Sequence, residues 1–146
     1  MRIFTIGFTK KSAEEFFTLL GNSGVKRVVD VRLNNSSQLA GFSKGRDLSY
    51  LLNKILGIDY IHKIELAPTR EILDAYKKKQ INWLEYEKQF FSLIEQRRPQ
   101  IAAEINRLDQ ACLLCSEEFP HQCHRRLVAE HIQRVNPGVN IEIIHL

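Results

Sequence analysis

The sequence predicts a three-layer α/β/α domain with a mostly parallel central sheet of about five strands. Residues 2–8 (RIFTIGF) and 26–32 (KRVVDVR) read as strands around a helical pattern. Strand, helix and strand within about 30 residues form a unit whose right-handed crossover makes the strands parallel. Residues 110–115 (QACLLC) are an apolar run of the kind that both faces of a sheet cover. Strand and helix patterns then alternate along the whole chain with no repeat, low-complexity tract or linker, so residues 1–146 are read as one domain.

The first strand is rich in β-branched and aromatic residues and ends near Gly7. Ser12 with Glu15 three positions on is a capping-box pattern, followed by an apolar face of Phe16, Phe17, Leu19 and Leu20 that stops at Gly21 and Gly24. After the second strand, residues 33–45 lack periodicity and carry Asn, Ser and Gly, a loop pattern. Asp47 is expected to cap a helix over 48–56 that closes at Gly57, and 59–64 is the third strand. Pro68 and Thr69 open a helix to about Lys79. Asn82 with Glu85 opens a longer one to Arg98, and Pro99 starts turns through Leu108. Beyond the strand at 110–115, residues 116–122 form a polar loop, 124–135 a helix, Pro137 and Gly138 a turn, and 140–145 the last strand.

Composition narrows the classes. Of 146 residues 44% are hydrophobic and 26% charged, enough for a core that needs neither metal nor disulfide. No run of about 18 apolar residues occurs, so no membrane helix is expected. The start offers no export signal. Three cysteines fall between 112 and 123, an odd number that argues against a disulfide framework and for a reducing, cytoplasmic setting. A net charge of +4 favours anionic partners, with nucleic-acid contact expected to be weak and non-specific. Lys77 to Lys79 and the Arg97–Arg98 pair read as solvated helix ends, and Trp83, Tyr86, Phe90 and Phe91 as core at helical spacing.

Ligands of parallel sheets sit beyond the carboxyl ends of the strands, which directs attention to residues 7–11, 30–45 and 115–126. Cys112, Cys115, Cys123, His121 and His124 invite a zinc reading. Against it, Cys112 and Cys115 are three apart in a strand and point to opposite faces. No metal and no cofactor is expected. Cys123 stands at a helix start beside His124, Arg125 and Arg126, where a thiol should ionise easily, so Cys123 is the expected nucleophile. His124 or Glu117 would be its proton partner, with Cys115 nearby. Asp30 and Arg32 share a face at the end of the second strand. They pair there, or Arg32 joins Arg125 in holding a substrate anion. The resulting expectation is a small enzyme or ligand-binding domain for a small anionic ligand. Alternatives are a nucleic-acid-binding accessory protein without catalysis and a metal-stabilised interaction module.

Thr5-Ile6-Gly7, Asp30-Val31-Arg32, Leu113-Leu114-Cys115-Ser116-Glu117 and Cys123-His124-Arg125, in that order and spacing, resemble the family known as domain of unknown function 488. The resemblance implies the α/β fold and a site drawn from Asp30, Arg32, Ser37, Phe42, Tyr60, Cys115, Glu117, Cys123, His124 and Arg125. The chain departs from the family pattern in three places. Phe8 stands where the family often has His, Asn35 where it often has Pro, and Leu66-Ala67-Pro68 where it has Leu-Gly-Gly.

Overall fold

The computed structural model describes residues 1–36 and 41–146, and Ser37 lies outside them. Its central strand is β4 (Ala111–Cys115), buried along its full length. The parallel five-stranded sheet runs in the order β3 (Asp59–His62), β2 (Arg27–Asp30), β4, β1 (Arg2–Gly7), β5 (Glu142–His145). The run QACLLC is apolar without alternation because helices cover both of its faces. Phe4, Ile6, Val28, Cys112 and Leu114 pack with Phe16 and Leu20 of α1 (Ala13–Ser23) and with Leu48 and Leu52 of α2 (Gly45–Leu56). Ile3, Val29, Leu113 and Cys115 pack on the other face with Phe90 and Ile94 of α4 (Trp83–Gln96) and with Leu127 and Ile132 of α6 (His124–Val135). The helix α3 (Arg70–Lys77) lies beside α4, and the short α5 (Arg98–Ala102) follows it.

Local chemistry accounts for most boundaries. Ser12 and Glu15 exchange the two bonds of a capping box, and α1 ends at Gly24, whose φ of 82° suits glycine. Asn82 accepts from the Glu85 amide, while the Glu85 carboxylate turns to Gln89. Thr69 accepts from the Ile72 amide.

Several boundaries differ from the sequence reading. The α2 helix starts at Gly45 rather than after Asp47, because the Gly45 amide donates to the Asn35 carbonyl (2.7 Å), leaving Asp47 in the first turn, where its charge suits the helix dipole. The second strand ends at Asp30, since Arg32 folds back onto that carboxylate instead of continuing the ladder. The third ends at His62 and passes into a 3-10 turn at Ile64–Leu66. The region after Pro99 is helical where turns were expected. No helix among the described residues is long and apolar enough to cross a membrane.

Gly7 closes β1 beneath the loop that leaves β4. A Cβ there would fall inside the Glu117 carbonyl group and lie 2.9 Å from Arg125 Nη1. Because the obstacle is backbone, no rotamer change relieves it. Gly7→Ala is therefore expected to destabilise the domain by at least about 3 kcal/mol in urea unfolding. Gly138→Ala, which meets open space, should stay within about 0.5 kcal/mol of the parent. Equal effects would contradict the packing described at Gly7.

Candidate active site

The carboxyl ends of β2 and β4 are neighbours, and two buried arginines meet there. The first is Arg32. Its Nε and Nη2 donate to the two Asp30 carboxylate oxygens at 2.8 and 2.6 Å, and Nη2 also donates to the Ser43 carbonyl at 2.8 Å. Tyr60 donates its hydroxyl to Asp30 at 2.6 Å and accepts from Asn35 Nδ2 at 2.9 Å. Burial, reinforced by the bond to Asp30, pushes the Tyr60 hydroxyl well above its ordinary pKa, so it remains a donor. Burial works against the Arg32 charge, but the Asp30 bond outweighs it and the guanidinium is held still more firmly protonated. Phe8 lies under that guanidinium, 5.2 Å from Cζ to the ring centroid, which gives a role to the aromatic found where the resemblance expects His. Arg32 Nη1 is buried with no hydrogen-bond partner.

The second arginine, Arg125, is fully buried in the first turn of α6. Its Nη1 donates to the Glu117 carbonyl and reaches Cys123 Sγ at 3.5 Å, and its Nη2 donates to the Glu118 carbonyl at 3.2 Å. Among the described residues no carboxylate pairs with it. Cys123 is the N-cap of α6 and Cys115 the last residue of β4. His124 donates from Nε2 to the Val31 carbonyl at 2.7 Å, since a carbonyl can only accept, and this aims Nδ1 at Cys115 Sγ, 3.6 Å away.

The two sulfurs lie within 4.8 Å of one another, close enough for their ionisations to be coupled. The Cys123 S–H, then His124 and Arg125, pull Cys115 well below the ordinary thiol value against the cost of burial. Burial, together with its donation to Cys115, pushes Cys123 well above. Burial lowers His124, but the Cys115 thiolate overcomes it and raises the imidazole above its usual value. The sequence placed the easily ionised thiol at Cys123 because of the helix terminus and the arginines. The surroundings favour Cys115, which faces His124 as well as Arg125, while burial holds Cys123 protonated.

The remaining sequence candidates separate. Arg125 is enclosed, with Nη1 and Nη2 on backbone carbonyls and a sulfur and Nε buried without a partner. The Glu117 side chain is exposed. Phe42 packs 5.4 Å from Phe16 and belongs to the core. Cys112 lies on the opposite face of the sheet, as its spacing requires, with burial raising its thiol.

Cys115, Cys123, His124, Arg32 and Glu117 all border a cleft of about 310 Å³. Its far wall carries Leu73, Tyr76, Lys77, Trp83 and Tyr86. Tyr86 is core, as expected, but Tyr76 and Trp83 remain half-buried at the cleft, a role that helical spacing alone does not signal. The Cys115, Cys123 and His124 ligand atoms lie within 4.8 Å of one another. The 3.6 Å sulfur–nitrogen separation is near the edge of about 3.5 Å in a tetrahedral zinc site. These three could therefore hold a metal ion, an arrangement the Cys112–Cys115 argument did not address.

A family model described as domain of unknown function DUF488 matches residues 12–132. The match takes in β2, β4 and the start of α6, and hence Asp30, Arg32, Cys115, Cys123, His124 and Arg125. No curated protein and no solved structure matches the chain.

The Asp30 network yields two substitutions of unequal weight. Asp30→Ala leaves the Arg32 charge buried and unpaired, an expected loss of about 3–5 kcal/mol. Tyr60→Phe removes one donor while Arg32 still holds the carboxylate, an expected loss of about 1–2 kcal/mol. Chemical unfolding of both variants checks the order, and a Tyr60→Phe loss as large as that of Asp30→Ala would contradict it.

Proposed function

The chain belongs to the DUF488 family, and from that premise we propose that the cleft is the site of a thiolate nucleophile acting on a small anionic substrate. One observation carries the proposal. Arg125 is fully buried, no carboxylate among the described residues pairs with it, and it touches the sulfur of Cys123, which lies within 4.8 Å of the sulfur of Cys115. A buried cation without an anionic partner is costly. The thiol pair is the group in contact that can supply the negative charge.

Cys115 takes the nucleophile's role. Cys123 donates its S–H to that sulfur and fixes where the charge rests. The clamp of His124 Nε2 on Val31 keeps Nδ1 directed at Cys115. In the covalent step a sulfur lone pair forms the new bond to the electrophilic atom of the substrate. The leaving group departs with its bonding pair and takes the proton from His124 Nδ1. Glu117 borders the cleft with an exposed side chain, and the imidazole regains its proton from solvent. Lys77 borders the same cleft and favours a negatively charged substrate, while Arg32, its charge balanced by Asp30, contributes an Nη1 that has no hydrogen-bond partner. Arg125 serves as the thiolate's counter-cation and leaves substrate binding to them.

Site-by-site iodoacetamide labelling against pH, read by mass spectrometry on folded protein, tests the reading. A depressed pKa means that the thiolate is present at neutral pH and is lost only as the pH falls through the folded value. Cys115 should therefore label with a midpoint below about 8.5, the ordinary thiol value, while Cys112 stays inert. His124→Gln should move the midpoint upward. A Cys115 midpoint at or above about 8.5, or about one zinc per chain that disappears in Cys115→Ser, overturns the proposal.

A further inference from the structure

The wall facing the thiols is aromatic, and its geometry bears on what enters. His124, Phe90, Tyr86 and Trp83 form a column. Ring centroids are 5.7 Å apart from His124 to Phe90, 6.1 Å from Phe90 to Tyr86 and 4.9 Å from Tyr86 to Trp83, the last two pairs within 20° of parallel. Tyr76 stands across the outer end, 5.6 Å from Trp83 at 65° and 5.1 Å from Tyr86 at 49°. The inner members are closed off, with Tyr86 and Phe90 at 1% and 0% exposure. Trp83 and Tyr76 are not closed off, and both border the cleft. An aromatic pair left partly open in a concave site, rather than on a convex surface, supplies a flat apolar contact for a ligand. Lys77 follows Tyr76 in sequence and borders the same cleft, so charge and ring contact lie on one wall. The cleft, about 310 Å³, is at the lower end of the volumes that hold small molecules, room for a single ring and a head group rather than for a polymer.

We propose that the ligand of this cleft is a small anion bearing one aromatic or heteroaromatic ring, with the ring seated against Tyr76 and Trp83 while its electrophilic head lies by Cys115. The proposal rests on the reading of the cleft as the site of an anionic substrate and adds the ring as the feature that selects among anions. Lys77 attracts the anion and Arg32 offers only its unpartnered Nη1, and neither distinguishes one anion from another. Offset or edge-on contact with the two rings is available only to a flat partner. Stacked aromatic pairs add an increment beyond their buried area that corresponds to about threefold to tenfold in affinity.

Trp83 is the sole tryptophan of the chain, so intrinsic fluorescence reports on the wall itself. Phenyl phosphate, butyl phosphate and inorganic phosphate are titrated in turn into the full chain. Phenyl phosphate is expected to change Trp83 emission saturably and to bind about threefold to tenfold more tightly than either of the others. Tyr76→Leu, at a half-buried position, should bring phenyl phosphate down to the affinity of butyl phosphate and leave butyl phosphate unchanged. Saturating phenyl phosphate should slow iodoacetamide labelling of Cys115 in the parent. Equal affinities for the three probes, or no saturable change with any of them, overturn the ring proposal. A normal low-pH labelling profile of Cys115 in that same protein would show that the thiolate reading survives it. Selective binding of phenyl phosphate with an unreactive Cys115 would instead remove the nucleophile and leave an aromatic anion-binding site.

Discussion

The buried guanidinium of Arg125 is the constraint on which the site depends. A full charge at zero exposure in the first turn of a helix must be met by donors' partners and by an opposite charge. Backbone carbonyls of Glu117 and Glu118 meet the first requirement at Nη1 and Nη2, though Nε has no partner, and this fixes the path of the loop between β4 and α6. That path brings the Glu117 carbonyl against β1, where only glycine fits, so Gly7 is tied to Arg125 although they are far apart in sequence. The side chain in contact that can meet the second is a thiol. Side-chain anions come from carboxylates or thiols, and the loop delivers Cys123 to Nη1 and Cys115 to Cys123. Sheet order, loop conformation and thiol chemistry thus answer one electrostatic demand.

Arg32 meets the same demand in the opposite way. Its charge is cancelled by a bidentate carboxylate two residues away, and the carboxylate is satisfied further by Tyr60. Such a pair is close to neutral as a unit and stiff, and it orients the chain that leaves β2. Val31 lies between the pair, and its carbonyl receives His124 Nε2–H. The ion pair on β2 therefore positions the imidazole that faces the thiol on β4. One arginine builds the scaffold and the other maintains a charge in it.

Much of this was legible in the sequence, for physical reasons that can be named. The unbroken apolar run at 110–115 marked a strand covered on both faces, and capping residues at Ser12, Thr69 and Asn82 marked helix starts, because each feature is local. That the candidate residues would gather at the carboxyl ends of the strands was legible too, since that is where the loops of a parallel sheet meet. What was not legible depends on long-range geometry. Asp30 and Arg32 could be seen to share a face, but not that Tyr60, 30 residues on, would close the network. Arg125 reads in sequence as an anion-holding cation beside a helix start, and only the return of the 116–123 loop shows it enclosed. Trp83 carries the pattern of a core residue because it is half a core residue. The other half faces the cleft.

The choice between the two cysteines turns on how two neighbouring buried thiols share one charge. A helix terminus and a neighbouring arginine do stabilise a thiolate near Cys123. A pair of neighbouring buried thiols, however, carries one charge, and the question becomes which sulfur offers its proton. Cys115 receives two donors' worth of stabilisation, the S–H of Cys123 and the imidazole of His124, and Cys123 receives Arg125 alone. Arg125 also acts on Cys115 across the short distance between the sulfurs, so moving the charge to Cys115 sacrifices little of that attraction and gains the imidazole. The helix terminus therefore stabilises a thiolate held one residue beyond its own cap. Cys123 becomes the relay through which the field of α6 reaches the end of the central strand.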